Sequence, residues 1–473
     1  MISRPELRDS APPSVQESMK SMDQLTEVQA LSHSPGSMEE RVRMVLDHAR
    51  TCGASAAQVI VTHNVGLSVT VRKGEVDTLE HERDQQMALV AHFGQSKGSA
   101  STTDFSASAL RQTAEAACRI ARYTEPDPYA GLPDPEDQAQ DWQELDLDHP
   151  WDCTSGNAIE LARRIEAAGF ALDPRIENSE GASVSTRRAM SFLGDSQGFM
   201  GGYRSTRHSL SCALVARDAA GMQRDYAYTV SRNPLELNDP EAVGRETAER
   251  TLRRLGSRKL GTRQCPVLFV PEMARGLIGS FTRAVGGGAQ YRKSSFLLGA
   301  AGEEVFPGWM RIAEHPHLPG ALGSAPFDGE GVRTRERELI SGGVLQGYIL
   351  DSYAARRLGL HTTGNAGGAR NVTVQPHPGD KGFRELLAEM GTGLLVTELI
   401  GQGVNAVTGD YSRGAAGFWV EQGEIVYPVE EITIAGNLRE MYRRIVAVGN
   451  DVDVRGNTRT GSILIESMTI AGE

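Results

Sequence analysis

Short runs in which apolar and polar residues alternate, broken by glycine turns, constrain this chain more than any other feature. "AQVIVTHN" (57–64), "GLSVTVRKGEVDTLEHER" (66–83) and "QQMALVAHFG" (85–94) send successive side chains to opposite faces of a strand. The "KGE" in the second run supplies the glycine of a tight hairpin. These runs predict an antiparallel meander, and a second one follows, ending near residue 231. Helical stripes frame both. "MEERVRMVLDHARTCG" sets Val42, Met44, Val45 and Ala49 on one face and stops at Gly53. Further helices are expected at 107–122, in "SGNAIELARRIEAAGFAL", and in "DPEAVGRETAERTLRRLG". Meanders separated by helices, without regular strand–helix–strand alternation, indicate an α+β fold.

A chain of 473 residues exceeds one compact core. The expected division is a disordered Ser/Pro/Gln-rich tail over 1–37, an N-terminal α+β domain over 38–260, and a Gly-rich, mainly β C-terminal domain with helices over 261–473. The acidic, Pro-rich stretch 124–150 reads as a connecting segment inside the first domain. In the second, "GVRTRERELISGGVLQGYILDSYAARRLG" predicts strand, turn, strand and helix, and "AAGFWVEQGEIVYPV" a hairpin on "EQGE". "AGNLREMYRRIVAVG" reads as a last helix before the strand "SILIESMTIAG".

Net charge is −12 and the 49 basic residues are scattered, which excludes the concentrated cation surface of a nucleic-acid binder. Cysteines 52, 118, 153, 212 and 265 are odd in number and form no close pair, as expected for reduced thiols in the cytoplasm. No apolar run is long enough for a membrane span, and no signal-peptide core is evident at the start.

Three motifs suggest chemistry. "GDSQG" (194–198) fits the nucleophile elbow around Ser196, but an elbow needs a following helix, and "FMGGYRSTRHSLSCALVAR" alternates like a strand. "LLVTELIGQGVNA" (394–406) matches a dinucleotide fingerprint, with Glu421 and Glu424 about twenty residues on, yet no helix follows to hold a pyrophosphate. "EHPH" brings His315 and His317 close, with Asp328, Glu330 and His361 as further metal ligands, although its proline-rich context favours a surface turn. "HTTGNAGGARNVTV" (361–374) lacks the ending of a phosphate loop. Its glycines suit either tight turns or the close approach of an extended peptide.

The segments "GNAGG", "GQGVNAVTGDYSRGAAGFWVEQGEIVYPVEEITIAGNLREMYRRIVAVGND" and "MTIAG" resemble the PmbA (TldE) branch of the TldD/PmbA family. "LSVTVRKGEVDTLE" is similar to that family too, and the resemblance covers about residues 40–473. It implies a two-domain α+β fold in a family described both as metalloproteases and as modulators of DNA gyrase. It also implies a TldD-like partner carrying zinc, and small or unfolded peptides as substrates, including microcin precursors and antitoxins. TldD-type subunits bear H-E-x-x-x-H on a helix and a late cysteine. The matching stretch here, "CPVLFVPEMARGLIGSFTRAVGGG", has Glu272 but no histidine, and no cysteine follows Cys265. The corresponding late turn reads "NDVDVRGNTRTG". The resemblance therefore implies a subunit with no catalytic residue and no metal ligand of its own. It places Gly364, Asn365, Gly367 and Gly368 in a loop facing peptide or partner. A homodimer without that partner stays open, as do a stand-alone hydrolase and a non-proteolytic interaction module acting on gyrase.

Overall fold

The structure is a computed structural model and describes residues 35–472. The expected tail falls outside the described residues up to position 34. Its last three positions are helical instead, because Pro35 opens the first helix, a place its fixed φ favours. That helix, α1 (Pro35–Thr51), buries Met38, Val42, Val45 and Ala49. Strands β1 (Ala56–Arg72), β2 (Glu75–Phe93) and β3 (Ser96–Thr102) then form the first meander, closed by α2 (Ala107–Tyr123). The same order recurs as α3 (Ser155–Phe170), β4 (Ile176–Asp195), β5 (Met200–Asp218), β6 (Gly221–Ser231) and α4 (Pro240–Arg253). The two helix–three-strand–helix units join through antiparallel β1 and β4, giving one six-stranded sheet of order β3-β2-β1-β4-β5-β6.

Alternation decides which face is covered. Val59, Val61, Leu67, Val69 and Val71 of β1 are buried on the face carrying the helices, forming one core with α1 and α2 and another with α3 and α4. Thr62, Ser68 and Thr70, pointing the other way, are only half-buried. At the β1–β2 turn Lys73 and Gly74 take positive φ, as such a two-residue hairpin requires. Their amides donate to the Glu166 carboxylate of α3 at 2.9 and 2.8 Å, so helix and hairpin are fixed to each other.

The long middle strands extend past their outer neighbours. β3 reaches only Met87–Phe93 of β2, and β6 only His208–Asp218 of β5. Next to the uncovered part of β5 runs the acidic connection: Thr206 N–H donates to Leu147 C=O at 2.8 Å, and Trp142 lies over Gly201. The connection also reaches the C-terminal half. Tyr353 donates to Asp127 at 2.7 Å, Ala139 N–H donates to Gly331 C=O at 2.9 Å, and Trp142, Phe199, Tyr203 and Phe327 pack edge-on or tilted. The stretch read as a connection thus seals the N-terminal sheet against the C-terminal half.

The C-terminal half begins with β7 (Arg263–Phe269), α5 (Pro271–Ala284) and α6 (Gly287–Tyr291). Then come β8 (Ile312–Glu314), β9 (Arg337–Ser341), β10 (Val344–Leu345), α7 (Ser352–Leu358), β11 (Val372–Val374) and α8 (Phe383–Met390). The rest is β12 (Gly393–Ile400), β13 (Asp410–Glu421), β14 (Glu424–Asn437), α9 (Leu438–Arg443), β15 (Ile445–Val448), β16 (Thr458–Arg459) and β17 (Ile463–Ala471). A six-stranded sheet of order β14-β13-β12-β7-β17-β15 curls until β14 also pairs with β17, and a five-stranded sheet of order β10-β9-β8-β11-β16 packs beside it. Tyr442, fully buried and stacked 4.7 Å from Phe306, lies in the core between them.

The expected last helix is shorter than its pattern suggested. Ala435–Asn437 belong to β14, and Ile445–Val448 form a strand paired with β17. Ile445, Ala447 and Val448 gain a sheet neighbour there that a longer helix would forgo. The α+β class holds throughout.

Candidate functional site

β7 is apolar on both faces, with Val267, Leu268 and Phe269 fully buried, and it leads directly into α5. Val270 caps that helix in extended conformation without a side-chain hydrogen bond, and Pro271 starts it. Ala274, Leu277, Ile278 and Phe281 form its buried stripe, which turns Glu272 toward the N-terminal half. Glu272 is ion-paired with Arg250 of α4 at 3.2 Å and with Arg455 at 2.7 Å. Arg455 also binds Asp453 at 3.0 Å, donates to the Tyr228 carbonyl at 2.8 Å, and lies over the Tyr228 ring. Arg275 donates to the Tyr228 hydroxyl at 2.9 Å and reaches Asp453 at 3.5 Å. Asp225 faces Arg250 and Arg254 at 3.6 and 3.8 Å, and Arg254 closes on Glu398.

Four carboxylates thus meet four guanidiniums. Burial alone would raise the Glu272 carboxyl, but Arg250 and Arg455 outweigh it and hold the group below the usual range. Asp453 is likewise held down, by Arg455 and Arg275 against burial. Neither carboxylate is poised to exchange a proton near neutrality. The donor set does not suit a divalent cation either: every carboxylate is matched by an arginine, and the positive charges stand where a metal would bring its own. Among the described residues, no group of three or more His, Cys, Asp or Glu is arranged to hold a metal. Beside this network a cleft of about 320 Å³ opens, walled by Phe383, Phe418, Leu395, Arg253, Glu246 and Glu249.

The other predicted residues lie elsewhere. Ser196 sits in the turn between β4 and β5, its hydroxyl accepting from Ala57 N–H at 3.0 Å. His315 faces Glu336 at 3.6 Å, while His317 meets the Thr334 hydroxyl at 2.9 Å and is held below the ordinary histidine range by burial. His361 is exposed. Asp328 and Glu330 do not join these histidines but serve the main chain. Asp328 accepts from Ala366, Glu330 and Val332 N–H at 2.8, 2.9 and 2.9 Å, and Glu330 accepts from Ser352 N–H at 3.0 Å. Burial pushes the Asp328 carboxyl up to about 6 against those three amides. No helix follows the fingerprint at 401–406; β13 does.

The glycine loop is built around Asn365, a buried residue. Its Nδ2 donates to Glu314 at 2.7 Å, and its Oδ1 accepts from Arg337 and Thr363 at 2.8 and 2.7 Å. Gly364 is buried, Gly367 exposed and Gly368 half-buried. Reasoning from sequence missed Glu314 and Arg337, as well as Arg250, Arg455 and Asp453. Glu314, directly after Ile312 and Ala313, carried a weak local signal, whereas Arg337 is hidden in the charged run "RTRERE". Nothing local marked the others.

Family models described as PmbA/TldA metallopeptidase domain 1, central domain and C-terminal domain match residues 57–121, 148–255 and 262–472. Metalloprotease PmbA of Escherichia coli O157:H7 is 50% identical over 436 residues, covering 92% of this chain and 96% of that protein. A PmbA homolog of Haemophilus influenzae is 46% identical over 435 residues, with the same coverage of both. A Bacteroides thetaiotaomicron structure, described as a candidate modulator of DNA gyrase, superimposes with a TM-score of 0.87 at 27% identity, covering 92% of this chain and 98% of that one. TldE from Thermococcus kodakarensis, at 18% identity, shares the fold with a TM-score of 0.80 over 91% of this chain and all of its own. Matched by family models along most of its length and half identical to a PmbA protein, the chain belongs to the PmbA/TldD metallopeptidase family, on its PmbA side.

Proposed function

We propose that this chain is the non-catalytic subunit of a cytoplasmic protease, paired with a TldD-like subunit that carries zinc, and that the pair acts on small or unfolded peptides such as microcin precursors and antitoxins. The supporting observation is the network at the start of α5. Peptide hydrolysis of this kind relies on a metal to polarise the carbonyl and activate water. The corresponding helix here instead commits Glu272 to Arg250 and Arg455. What the chain contributes is a wall: the cleft beside the network, with the half-buried Phe383 to cover an apolar side chain and Glu246 and Glu249 to attract a basic one. Gly367 and Gly368, unobstructed where a Cβ would stand, belong to the surface turned toward peptide or partner, and Gly364 and Asn365 hold that loop in place.

The test is a peptidase assay of three samples: this chain, a TldD-like subunit from the same genome, and the two co-expressed. Cleavage by the co-expressed pair alone supports the reading, as does elemental analysis giving well under one zinc per chain for the isolated PmbA-type protein. Cleavage by this chain alone, or equal cleavage by the TldD-like chain without it, overturns the reading.

A further inference from the structure

The two helix–three-strand–helix units differ in how they treat the spare length of their middle strands. In the second, the uncovered part of β5 is flanked by the connection, with Leu147 and His149 bonded to Thr206. In the first, the stretch of β2 from Glu75 to Glu82 has β1 on one side, and no other described strand pairs with it. An unpaired edge of this length is a template for another strand. It carries no proline in that stretch, and its one bulge is the extra residue Asp77 of β2, between the Thr70–Thr78 and Val71–Val76 pairs beside the hairpin, which leaves Thr78–Glu82 in regular register. Charge is what it does carry. Glu75, Asp77, Glu80 and Glu82 are all exposed, with Val76 showing 41% of its surface between them.

Resting on the partner reading above, we infer that the Glu75–Glu82 edge of β2 docks an extended, lysine- or arginine-bearing strand of the TldD-like partner, adding it to the sheet. The charges choose among occupants. A second copy would set Glu80 and Glu82 against the same carboxylates, and like charges across a pairing repel. A substrate peptide is disfavoured by distance. The cleft meets the sheet at β6, through Asp225, and β2 lies four strand spacings away, roughly 19 Å. Main-chain bonds along the edge supply affinity, and alternate basic side chains opposite the carboxylates set the register.

Amide hydrogen exchange measured on this chain alone, and then in complex with the TldD-like subunit, tests the inference. Exchange over residues 76–82 is expected to slow at least about tenfold in the complex, while the flanked stretch 200–207 changes little. The double variant Glu80→Lys/Glu82→Lys, on exposed positions, is expected to melt like the parent yet weaken the complex by about tenfold or more. A complex that forms without protection at 76–82, or that the double reversal leaves as tight, overturns the docking edge while sparing the partner reading. Two chains that never associate overturn both.

Discussion

Gly364 and Gly367 stand three residues apart in one loop and face different constraints. A Cβ on Gly364 would lie 2.4 Å from the Arg333 carbonyl oxygen, with φ already at +69°. On Gly367, at φ +98°, it would meet only the Arg370 guanidinium at 3.9 Å. Gly364→Ala is therefore expected to lose about 3 kcal/mol or more in urea unfolding, since backbone must move. Gly367→Ala is expected to lose about 1–2 kcal/mol, the ordinary cost of left-handed backbone. Equal midpoints for the two variants would contradict this division. The glycine cluster was visible in the sequence as a place of close approach, but not what it approaches. Arg333 lies far upstream, and only the folded chain brings its carbonyl under Gly364.

The elements were largely legible, because each depends on local pattern. The "KGE" and "EQGE" hairpins and the helices at 107–122 and after 240 follow from periodicity and turn chemistry, while the strand leading into α5 came from the family resemblance. The last helix was not, since helix-forming "LREMYRR" runs on into "IVAV", whose preference for a sheet edge appears only once β17 lies beside it. The network at α5 escaped for the same reason: its members come from β6, α4, α5, β12 and the 450–461 turn. That origin makes it a joint between elements, and the expected cost of breaking it is large. Glu272→Ala removes the carboxylate shared by Arg250 and Arg455, which keep Asp225 and Asp453, and is expected to lose about 2–3 kcal/mol in chemical denaturation. Its pH dependence follows from the depressed carboxyl. The stability that Glu272 contributes is fully present above the ordinary carboxylate range and is lost as pH falls through the lower folded value. The gap between parent and variant should therefore narrow on acidification, and a gap constant from neutral to acid pH would refute the ionic account.

For the whole molecule, the acidic connection matters most, because it shares a small aromatic core with both halves. Phe327, 5% exposed, packs from the C-terminal half against Trp142, Phe199 and Tyr203. Phe327→Ala is expected to cost about 3–5 kcal/mol and to split thermal unfolding into two transitions by calorimetry. A single sharpened transition would show the halves bound chiefly elsewhere. Composition alone had made this stretch a mere tether, since acids and prolines usually signal solvent, and only its main-chain bonds to β5 and to residue 331 show otherwise. The palindromic order β3-β2-β1-β4-β5-β6 bears on folding time. Each meander pairs neighbours in sequence and can form on its own. The central seam, where Val61 meets Phe192, needs the chain between them to close a long loop first. Refolding of the N-terminal half is thus governed by one late search, the meeting of two preformed three-stranded units along β1 and β4.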